Sequence, residues 1–360
     1  MPLTAKQWLD KIHALPLPHK FKIMHVCGGH ERAITMAGLR KVLPAQIELI
    51  PGPGCPVCIC PEEDIYAAIQ LALKENVILV TFGDMLRVPI NVSKQATRSL
   101  EQAKAIGADI RPIASPLETL KIAQTNPKRN VVFFAAGFET TTAPVAALLA
   151  QGIPNNLYLL LSGRLTYPAI NRLLNTGEAN FHALIAPGHV ATVMGTSEWE
   201  FVIRNYHIPT AIAGFDATTL LPAIYSIARQ FIEKHYFLDN CYQQVVTKAG
   251  NPTAKHYLQQ TMQVVNSQWR GIGNIILSGF ALKNAAHDAR IHFPDYSQDA
   301  RKHAGEMPAG CDCAKVVLGK LYPNQCRLYH KACTPRTPIG PCMVSEEGAC
   351  RIWWAGGVRK

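Results

Sequence analysis

The sequence predicts an α/β protein with two doubly wound parallel-sheet domains and a C-terminal domain that is helical and rich in loops. Short apolar segments alternate with stretches of helical periodicity from residue 20 to about residue 212. This alternation is typical of parallel sheets whose faces are both covered by helices. The chain has 360 residues, which is more than one hydrophobic core usually holds. After about residue 232 the alternation fades, and cysteine, proline and glycine become frequent.

The predicted strands follow one another along the chain, and most end in a turn that contains Gly or Pro. Seven of them are the apolar segments FKIMHV, IELI, VILVTFG, VVFFAAGF, NLYLLLSG, FHALIAPGHV and TAIAGFD. Residues 98–130 predict a helix, a strand and a helix that close the first sheet unit. A boundary at that point gives an α/β domain over residues 1–115, a second over 116–232 and a third domain over 233–360.

The composition narrows the classes of function. Of the residues, 48% are hydrophobic, and the first twenty residues show no continuous apolar stretch or small-residue cleavage site of the kind found in signal peptides. No later segment gives a long uninterrupted apolar run. We therefore expect a soluble cytoplasmic protein with no membrane segment. The formal net charge is +11, but no basic run is interleaved with stacking aromatic residues, so nucleic acid is not an expected partner.

The eleven cysteines fall into groups. Cys27 and Cys241 stand alone, three cysteines lie between residues 55 and 60, and six lie between residues 311 and 350. In a reducing cytoplasm, such groups indicate metal ligands or redox thiols rather than a framework of disulfides.

The segment HVCGGHERAITMAGL places Cys27 between a predicted strand and a predicted helix. The free N–H groups and the dipole at a helix N-terminus lower the pKa of a thiol, so we predict a reactive thiolate. His30 could assist this thiolate or bind a metal. The alternative is a small buried cysteine in a tight turn.

The segment PGPGCPVCICPEED carries Cys55 and Cys58 as a CxxC pair. Sulfurs at this spacing can share a metal or form a reversible disulfide. A helix is predicted to begin at Pro61, directly after the pair. A zinc half-site is the alternative, although no second CxxC is present to complete it. Cys60 is expected only to cap a helix.

Glu139 lies in GFETTTAP, a predicted turn from a strand to a helix that Pro144 begins. A carboxylate at this edge of a sheet must be solvated, paired or used, so Glu139 is a candidate catalytic residue. Ligands of α/β proteins bind where the strands end, which predicts one shared cleft. The predicted cleft contains Cys27, Cys55, Cys58, Glu139, His189 and Asp216.

The strongest chemical signal is the group of C-terminal cysteines. Its members are Cys311, Cys313, Cys326, Cys333, Cys342 and Cys350. The prolines and glycines among them allow the backbone to bend around a cluster. An iron-sulfur cluster typically takes four thiolates, which would leave two cysteines spare. Structural zinc is the alternative, but the spacings do not pair into zinc-finger half-sites.

Seven motifs occur in the order found in the HypD family of nickel-iron hydrogenase maturation proteins, which the sequence resembles from about residue 20 to residue 354. These motifs are CGGHE, PGPGCPVC, GDMLRVP, GFETTTAP, APGHV, WRGIG and CTPRTPIGPCMVSEEGAC. The resemblance implies a scaffold that works with a small HypC-type chaperone. Together they would hold an iron while two cyanides and one carbon monoxide are attached, and the cyanide would arrive from a HypE-type partner.

The resemblance also implies roles for individual cysteines. Cys27 would hold the iron together with a cysteine of the chaperone, and Cys55 and Cys58 would be redox-active thiols. The 4Fe-4S cluster of the family maps best onto Cys313, Cys326, Cys333 and Cys350. Two segments depart from the family pattern: SGRLTYPA replaces an expected Ser-Ala-His-Lys run, and GFDATTLL replaces Gly-Phe-Glu-Pro.

The function predicted from these features is a metallocentre assembly scaffold with redox-active thiols rather than a conventional turnover enzyme. We expect a monomer that forms hetero-complexes. One alternative is a 4Fe-4S disulfide reductase that resembles ferredoxin-thioredoxin reductase. Another is a binding module stabilised by zinc.

Overall fold

The computed structural model describes residues 3–93, 95–177, 179–296 and 307–359. The strands are β1 (Phe21–His25), β2 (Ile47–Pro51), β3 (Val77–Phe82), β4 (Ile110–Ile113), β5 (Asn130–Gly137), β6 (Leu157–Gly163), β7 (Ala183–Pro187), β8 (Thr210–Ala213), β9 (Leu238–Asn240), β10 (Met262–Trp269) and β11 (Gly273–Leu282).

The α-helices are α1 (Ala5–His13), α2 (Gly28–Met36), α3 (Leu39–Val42), α4 (Pro56–Ile59), α5 (Glu62–Lys74), α6 (Leu100–Ala105), α7 (Pro116–Thr125), α8 (Glu139–Ala150), α9 (Thr166–Asn175), α10 (Gly188–Met194), α11 (Glu200–Tyr206), α12 (Ala217–Glu233), α13 (Pro252–Thr261), α14 (Ala289–His292), α15 (Cys313–Val317) and α16 (Ala349–Ala355). Short 3-10 turns lie at Gly83–Arg87, Thr196–Trp199, Ala285–His287, Pro323–Gln325 and Pro341–Met343. None of the helices in the described ranges has the length and apolar character needed to cross a bilayer.

The strands form two parallel sheets, which confirms the predicted α/β class. The first sheet has the order β2-β1-β7-β8-β9, and the second has the order β4-β3-β5-β6. Every pair of neighbours in both sheets is parallel. All residues of β5 after the first are buried, as expected for a strand that is covered by helices on both faces.

The strands are divided between the two sheets differently from the prediction, which grouped the first four together. The structure pairs β3 and β4 with β5 and β6, and the chain returns to the first sheet only at β7. Apolar runs identify strands, but buried parallel strands resemble one another and do not reveal their neighbours. Residue 115 therefore does not separate the sheets. As limits of independently folding units, the boundaries at residues 115 and 232 stay predictions.

Each sheet has one point at which the order of the strands reverses. In the first sheet, β2 lies on one side of β1, whereas β7, β8 and β9 extend to the other side. In the second sheet, β4 lies on one side of β3, whereas β5 and β6 extend to the other. The loops diverge at such a point and leave a crevice beyond the carboxyl ends of the strands, where α/β proteins bind ligands.

Local sequence explains where most helices begin. Ser115 and Glu118 form a capping box at the start of α7, and Pro116 takes its first position. The predicted start of α8 at Pro144 was wrong, because α8 begins at Glu139 and contains Pro144. The proline removes one hydrogen bond near the start of the helix, and the buried apolar side chains of α8 offset that loss.

The C-terminal third contains an antiparallel hairpin that the sequence did not predict. β10 and β11 pair from Met262 opposite Leu282 to Trp269 opposite Gly273. An irregularity after Val265 shifts the register and interrupts the alternation that would have indicated a strand. The helices of this region in the described residues are short, as expected for a loop-rich domain.

The cysteine-rich C-terminal segments pack on both of the N-terminal cysteine loops. α16 lies against α2, which follows Cys27. α4, which lies in the CxxC segment, packs against α15 and against the turn Pro341–Met343. Buried side chains of α4, α15 and this turn belong to one apolar cluster. The third domain therefore contacts the surroundings of Cys27 and of the CxxC pair at once.

Glu31 connects α2 to three other parts of the fold. Its buried carboxylate accepts two hydrogen bonds from Arg40, at 2.7 and 2.8 Å, and one from the Trp353 indole at 2.9 Å. The His25 Nε2 atom of β1 lies 3.1 Å from the same carboxylate. Although burial opposes the charge, Arg40 and His25 hold the pKa of Glu31 well below its usual range. The charged carboxylate thus joins α2 to the first sheet and to α16.

Replacing Glu31 with Gln should lower the free energy of unfolding by roughly 3 kcal/mol, because it leaves Arg40 without its buried partner. The control is Glu346→Gln, which removes an exposed pair with Arg32 and should cost less than about 1 kcal/mol. Urea denaturation at pH 7 measures both values. Equal losses in the two variants would contradict the role given to Glu31.

Candidate metal and thiol site

Cys27 lies at the crevice of the first sheet, directly before α2. The N–H of Gly28 donates to the carbonyl of Gly54 at 3.1 Å, so the Cys27 loop rests on the CxxC loop. A side chain at Gly54 would overlap the backbone of Cys27, and one at Gly28 would overlap Glu347. These close approaches require glycine. Cys27 is therefore enclosed by the CxxC loop and by the C-terminal segment.

The Cys27 thiol is not the thiolate predicted from its position. Burial, and after it the negative charge of Glu347, raises the pKa of Cys27 to about 12. Backbone N–H groups of Gly29 and His30 act in the opposite direction, but they are outweighed by the loss of solvent. Because cysteine binds metals as a thiolate, binding of a metal here would release a proton.

His30 is buried on α2, three residues after Cys27. Its Nε2 lies 3.0 Å from the carbonyl oxygen of Ala213, and burial lowers the pKa of His30 to about 3, so the ring is neutral. Nε2 therefore carries the proton, and Nδ1, which has no hydrogen-bond partner among the described residues, keeps a free lone pair. The Phe215 ring contacts His30 and His189, with centroid distances of 5.0 and 3.9 Å.

Cys55 and Cys58 are joined by a disulfide. Cys55 is the N-cap of α4, Pro56 takes the first helical position, and both sulfurs are buried. α5 begins at Glu62, one residue later than predicted, because Pro61 keeps an extended backbone. The pairing agrees with the predicted reversible disulfide, whereas the redox role itself stays a prediction.

A buried ionic network anchors the chain that follows the CxxC pair. Arg270 lies 3.2 Å from the carboxylate of Glu62. Asp64 accepts a hydrogen bond from Ser162 at 2.6 Å and pairs with Arg290 at 2.8 Å. Glu62 and Asp64 at the start of α5 are thus each paired with a residue from a distant part of the chain, which fixes the direction in which the chain leaves α4.

Glu139 lies at the crevice of the second sheet rather than of the first. Its carboxylate accepts hydrogen bonds from the backbone N–H and the hydroxyl of Thr166, at 2.6 and 2.7 Å. Burial raises the pKa of Glu139 to about 7. Burial and the charge of Glu139 raise the pKa of Glu198 to about 8. The contacts in the described ranges do not link Glu139 to Cys27, and the shared cleft stays a prediction for this residue.

The two segments that depart from the family pattern have structural roles here. In GFDATTLL, the Asp216 carboxylate caps α12 by accepting from the N–H of Thr219 at 3.0 Å. In SGRLTYPA, the buried Arg164 donates to the carbonyl of Gln268 in β10 at 2.9 and 3.1 Å, and Thr166 is the partner of Glu139. The predicted placement of Asp216 after a strand is confirmed, and its carboxylate is used by the helix.

Three C-terminal sulfurs form a buried group. The sulfur atoms of Cys313, Cys342 and Cys350 lie within 4.8 Å of one another. A side chain at Gly340 would overlap the sulfurs of Cys311 and Cys313, so this glycine allows the backbone to pass directly over the group. Buried thiols at such separations suit a soft metal ion or an iron-sulfur cluster.

This group includes only half of the ligand set implied by the family resemblance. Cys313 and Cys350 belong to it, Cys326 and Cys333 do not, and Cys342 takes a place that was not assigned to it. Hydrogen bonds from Cys313 and Cys350 lower the pKa of Cys342, which favours a thiolate within the group. The assignments of Cys326 and Cys333 as cluster ligands stay predictions.

Two residues of the site, Glu31 and Phe215, were not among the candidates predicted from sequence. Cys342 was one of the six candidate cysteines, but it was not among the four assigned as cluster ligands. Glu31 is part of the CGGHE motif. Its position on the buried face of α2 could have indicated a buried carboxylate that needs partners. Phe215 carries no signal, because an apolar residue after a strand is normally part of the core. The spacing of six cysteines could not show that Cys342 lies beside Cys313.

The fold and the site define a two-sheet α/β protein with a buried disulfide and a group of cysteines able to bind a metal. Residues 3–357 match the HypD family, described as the hydrogenase formation hypA family. The chain is 40% identical to the hydrogenase maturation factor HypD of Escherichia coli strain K12, over 92% of this chain and 88% of that protein. It is 40% identical to the hydrogenase maturation factor HypD of Azotobacter vinelandii, over 98% and 94%. It is 36% identical to a putative hydrogenase expression/formation protein of Methanocaldococcus jannaschii, over 97% and 96%. The chain therefore belongs to the HypD family.

The raised pKa values of Glu139 and Glu198 predict a pH dependence of stability. The folded protein binds protons more tightly than the unfolded chain at these groups. Their contribution is therefore complete below about pH 4.5 and is lost as the pH rises to about 8. The Glu139→Gln variant lacks one of these titrating groups. Between pH 4.5 and pH 8, the free energy of unfolding of this variant should therefore rise relative to that of the wild type by on the order of 3 kcal/mol.

Denaturant unfolding at several pH values from 4.5 to 8 measures this difference. The exposed Glu101→Gln variant is the control, and it should follow the pH profile of the wild type. A Glu139→Gln variant with that same profile would contradict the buried setting of this carboxyl.

Proposed function

We propose that the protein is a scaffold for assembly of the iron part of the nickel-iron hydrogenase active site. It holds iron at Cys27 together with a HypC-type chaperone while two cyanides and a carbon monoxide are attached, and the Cys55–Cys58 pair supplies electrons. The observation that carries this proposal is the packing of the Cys27 loop, the CxxC loop and the C-terminal cysteine segments against one another. Membership of the HypD family supports the same function.

The surroundings of Cys27 suit an iron that is still under construction. Thiolates are soft ligands and retain iron that carries strong-field ligands. Cys27 keeps a small part of its surface exposed, and one thiolate leaves most of the coordination positions of an iron open to a second protein and to diatomic ligands. The ring of Phe215 provides an apolar surface beside Gly29, near the Cys27 sulfur.

The C-terminal sulfurs suit a resident iron-sulfur cluster. Cys313, Cys342 and Cys350 would hold it, with a fourth ligand from the three remaining cysteines of the segment. When bound, such a cluster supplies single electrons. Because α4 packs on the segments that carry Cys313 and Cys342, the CxxC pair lies next to this group. Two electrons and two protons convert the disulfide to two thiols.

The partners follow from the same proposal. A small HypC-type chaperone would contribute its cysteine at the open side of Cys27, and a HypE-type protein would deliver cyanide there. His189 is exposed beside the same crevice and is available for contact with either partner. We propose that the protein works in the cytoplasm as a monomer that joins such hetero-complexes.

A disulfide reductase is the second candidate, because the disulfide packs directly on the cysteine group. A turnover assay with an electron donor and a disulfide substrate separates the two functions. Steady catalytic turnover favours the reductase. Stoichiometric iron with infrared bands of cyanide and carbon monoxide favours the scaffold.

Replacing Cys27 with Ser should abolish retention of the assembly iron, because the alcohol does not replace the soft thiolate at neutral pH. The visible absorbance of the C-terminal cluster should remain. Iron analysis and absorbance of anaerobically purified protein measure the two effects. Cys241→Ser is the matched control: Cys241 is outside the site, so this variant should keep both. If Cys27→Ser still matures hydrogenase, Cys27 is not the iron ligand.

Replacing Cys342 with Ser should lower the bound iron and acid-labile sulfide by at least half, because Cys342 lies in the three-sulfur group. Cys60→Ser provides a control with a buried cysteine outside that group, and it should leave both amounts unchanged. Elemental analysis of the purified variants measures iron, zinc and sulfide. Zinc without iron or sulfide in the wild type would exclude the cluster and support a zinc module.

A further inference from the structure

The C-terminal domain has a long segment without acidic side chains. From Cys313 to Ser345 the sequence contains no Asp or Glu. The segment carries five basic residues, all of them exposed: Lys315, Lys320, Arg327, Lys331 and Arg336. Surface segments normally mix both signs of charge, so a stretch of 33 residues without acids gives this part of the surface an excess of positive charge, although Lys315 pairs with Asp312 at 3.0 Å.

Aromatic side chains lie beside these cations. The Trp354 ring is half-buried, with the His330 ring 4.7 Å away and the Arg359 guanidinium 5.0 Å from its centre. The Tyr329 ring also packs against Trp354, with 6.3 Å between the ring centroids. We call the exposed residues 327–336 together with Trp354 and Arg359 the basic aromatic surface.

The basic aromatic surface lies beside the buried cysteine group. The backbone of Tyr329 forms a β-bridge with that of Cys333. Burial raises the pKa of the Tyr329 hydroxyl, and the charge of the nearby Cys350 sulfur raises it further. Trp354 belongs to the helix that carries Cys350. Tyr329 and Trp354 thus connect the basic aromatic surface to the residues of the sulfur group.

We propose that the basic aromatic surface is the docking site of an acidic protein that carries single electrons. Tryptophan, tyrosine and arginine are the side chains enriched at protein interfaces. A surface with an excess of positive charge steers a negative partner and discourages a positive one. An electron carrier is the partner that benefits from docking here, because the cysteine group lies next to this surface. This inference rests on the redox role in the proposed function.

Electron transfer from the docked carrier to the disulfide balances as follows. Two molecules of the reduced carrier each give up one electron. The disulfide between Cys55 and Cys58 accepts both electrons and takes two protons from solvent, and its S–S bond breaks to give two thiols. The carriers leave in their oxidised form.

A direct test measures the affinity of the anaerobically purified protein for an oxidised plant-type ferredoxin, which is an acidic carrier, by calorimetry at low and high salt. The wild type should bind more weakly as salt rises. The Lys331→Glu, Arg336→Glu variant should bind about tenfold more weakly at low salt. The matched control, Lys121→Glu with Lys128→Glu, places the same charge change on exposed residues near α7 and should change the affinity less than twofold. The rate at which reduced ferredoxin produces free thiols should change in parallel.

Several results would overturn the inference. These are no binding by the wild type, equal binding by the charge-swapped variant, or binding of single-stranded DNA as tight as that of ferredoxin. If the charge-swapped variant does not fold, Lys331→Ala with Arg336→Ala applies the same criterion, with an expected loss of about threefold. Iron retention at Cys27 is measured separately. A failure of the ferredoxin test therefore leaves the scaffold proposal standing, and a loss of that proposal does not alter the measured affinity for ferredoxin.

Discussion

The buried carboxylate of Glu31 holds the parts of this protein in register. Arg40, His25 and Trp353 all reach it from different elements, and Trp353 comes from the far end of the chain. A carboxylate without these partners would be costly to bury, because charge in an apolar interior needs compensation. The same helix that carries Glu31 begins directly after Cys27. Folding of the C-terminal domain onto the first sheet is therefore tied to the position of the thiol proposed to hold iron.

Glycines bring the reactive segments together at the crevice of the first sheet. Gly54 allows the CxxC loop to lie on Cys27, Gly28 admits the C-terminal segment, and Gly340 allows the backbone to pass over the cysteine group. The chemistry at each position then differs according to its surroundings. Burial raises the pKa of Cys27, whereas hydrogen bonds from Cys313 and Cys350 lower the pKa of Cys342. The protonated Cys27, the Cys55–Cys58 disulfide and the group that contains Cys342 are thus three different sulfur environments in one chain.

The sequence was sufficient to predict the class of fold and most strands, because alternating apolar segments report burial directly. It could not show that β3 joins the second sheet, since the pairing of buried parallel strands depends on contacts far apart in the chain. The hairpin was missed because its register shifts after Val265. Residues joined by local motifs, such as Cys55 and Cys58, were predicted well. The place of Cys342 and the environment of Glu139 depend on tertiary packing, and the spacing of residues does not encode it.

The central claim is that the protein holds an iron with cyanide and carbon monoxide ligands at Cys27. The most direct measurement is the infrared spectrum of the protein purified anaerobically with its small chaperone partner. The account predicts the stretching bands of metal-bound cyanide and carbon monoxide, and it predicts their loss when Cys27 is alkylated before the complex forms. Unchanged bands after alkylation, or a complex that never shows them while it still matures hydrogenase, would contradict it.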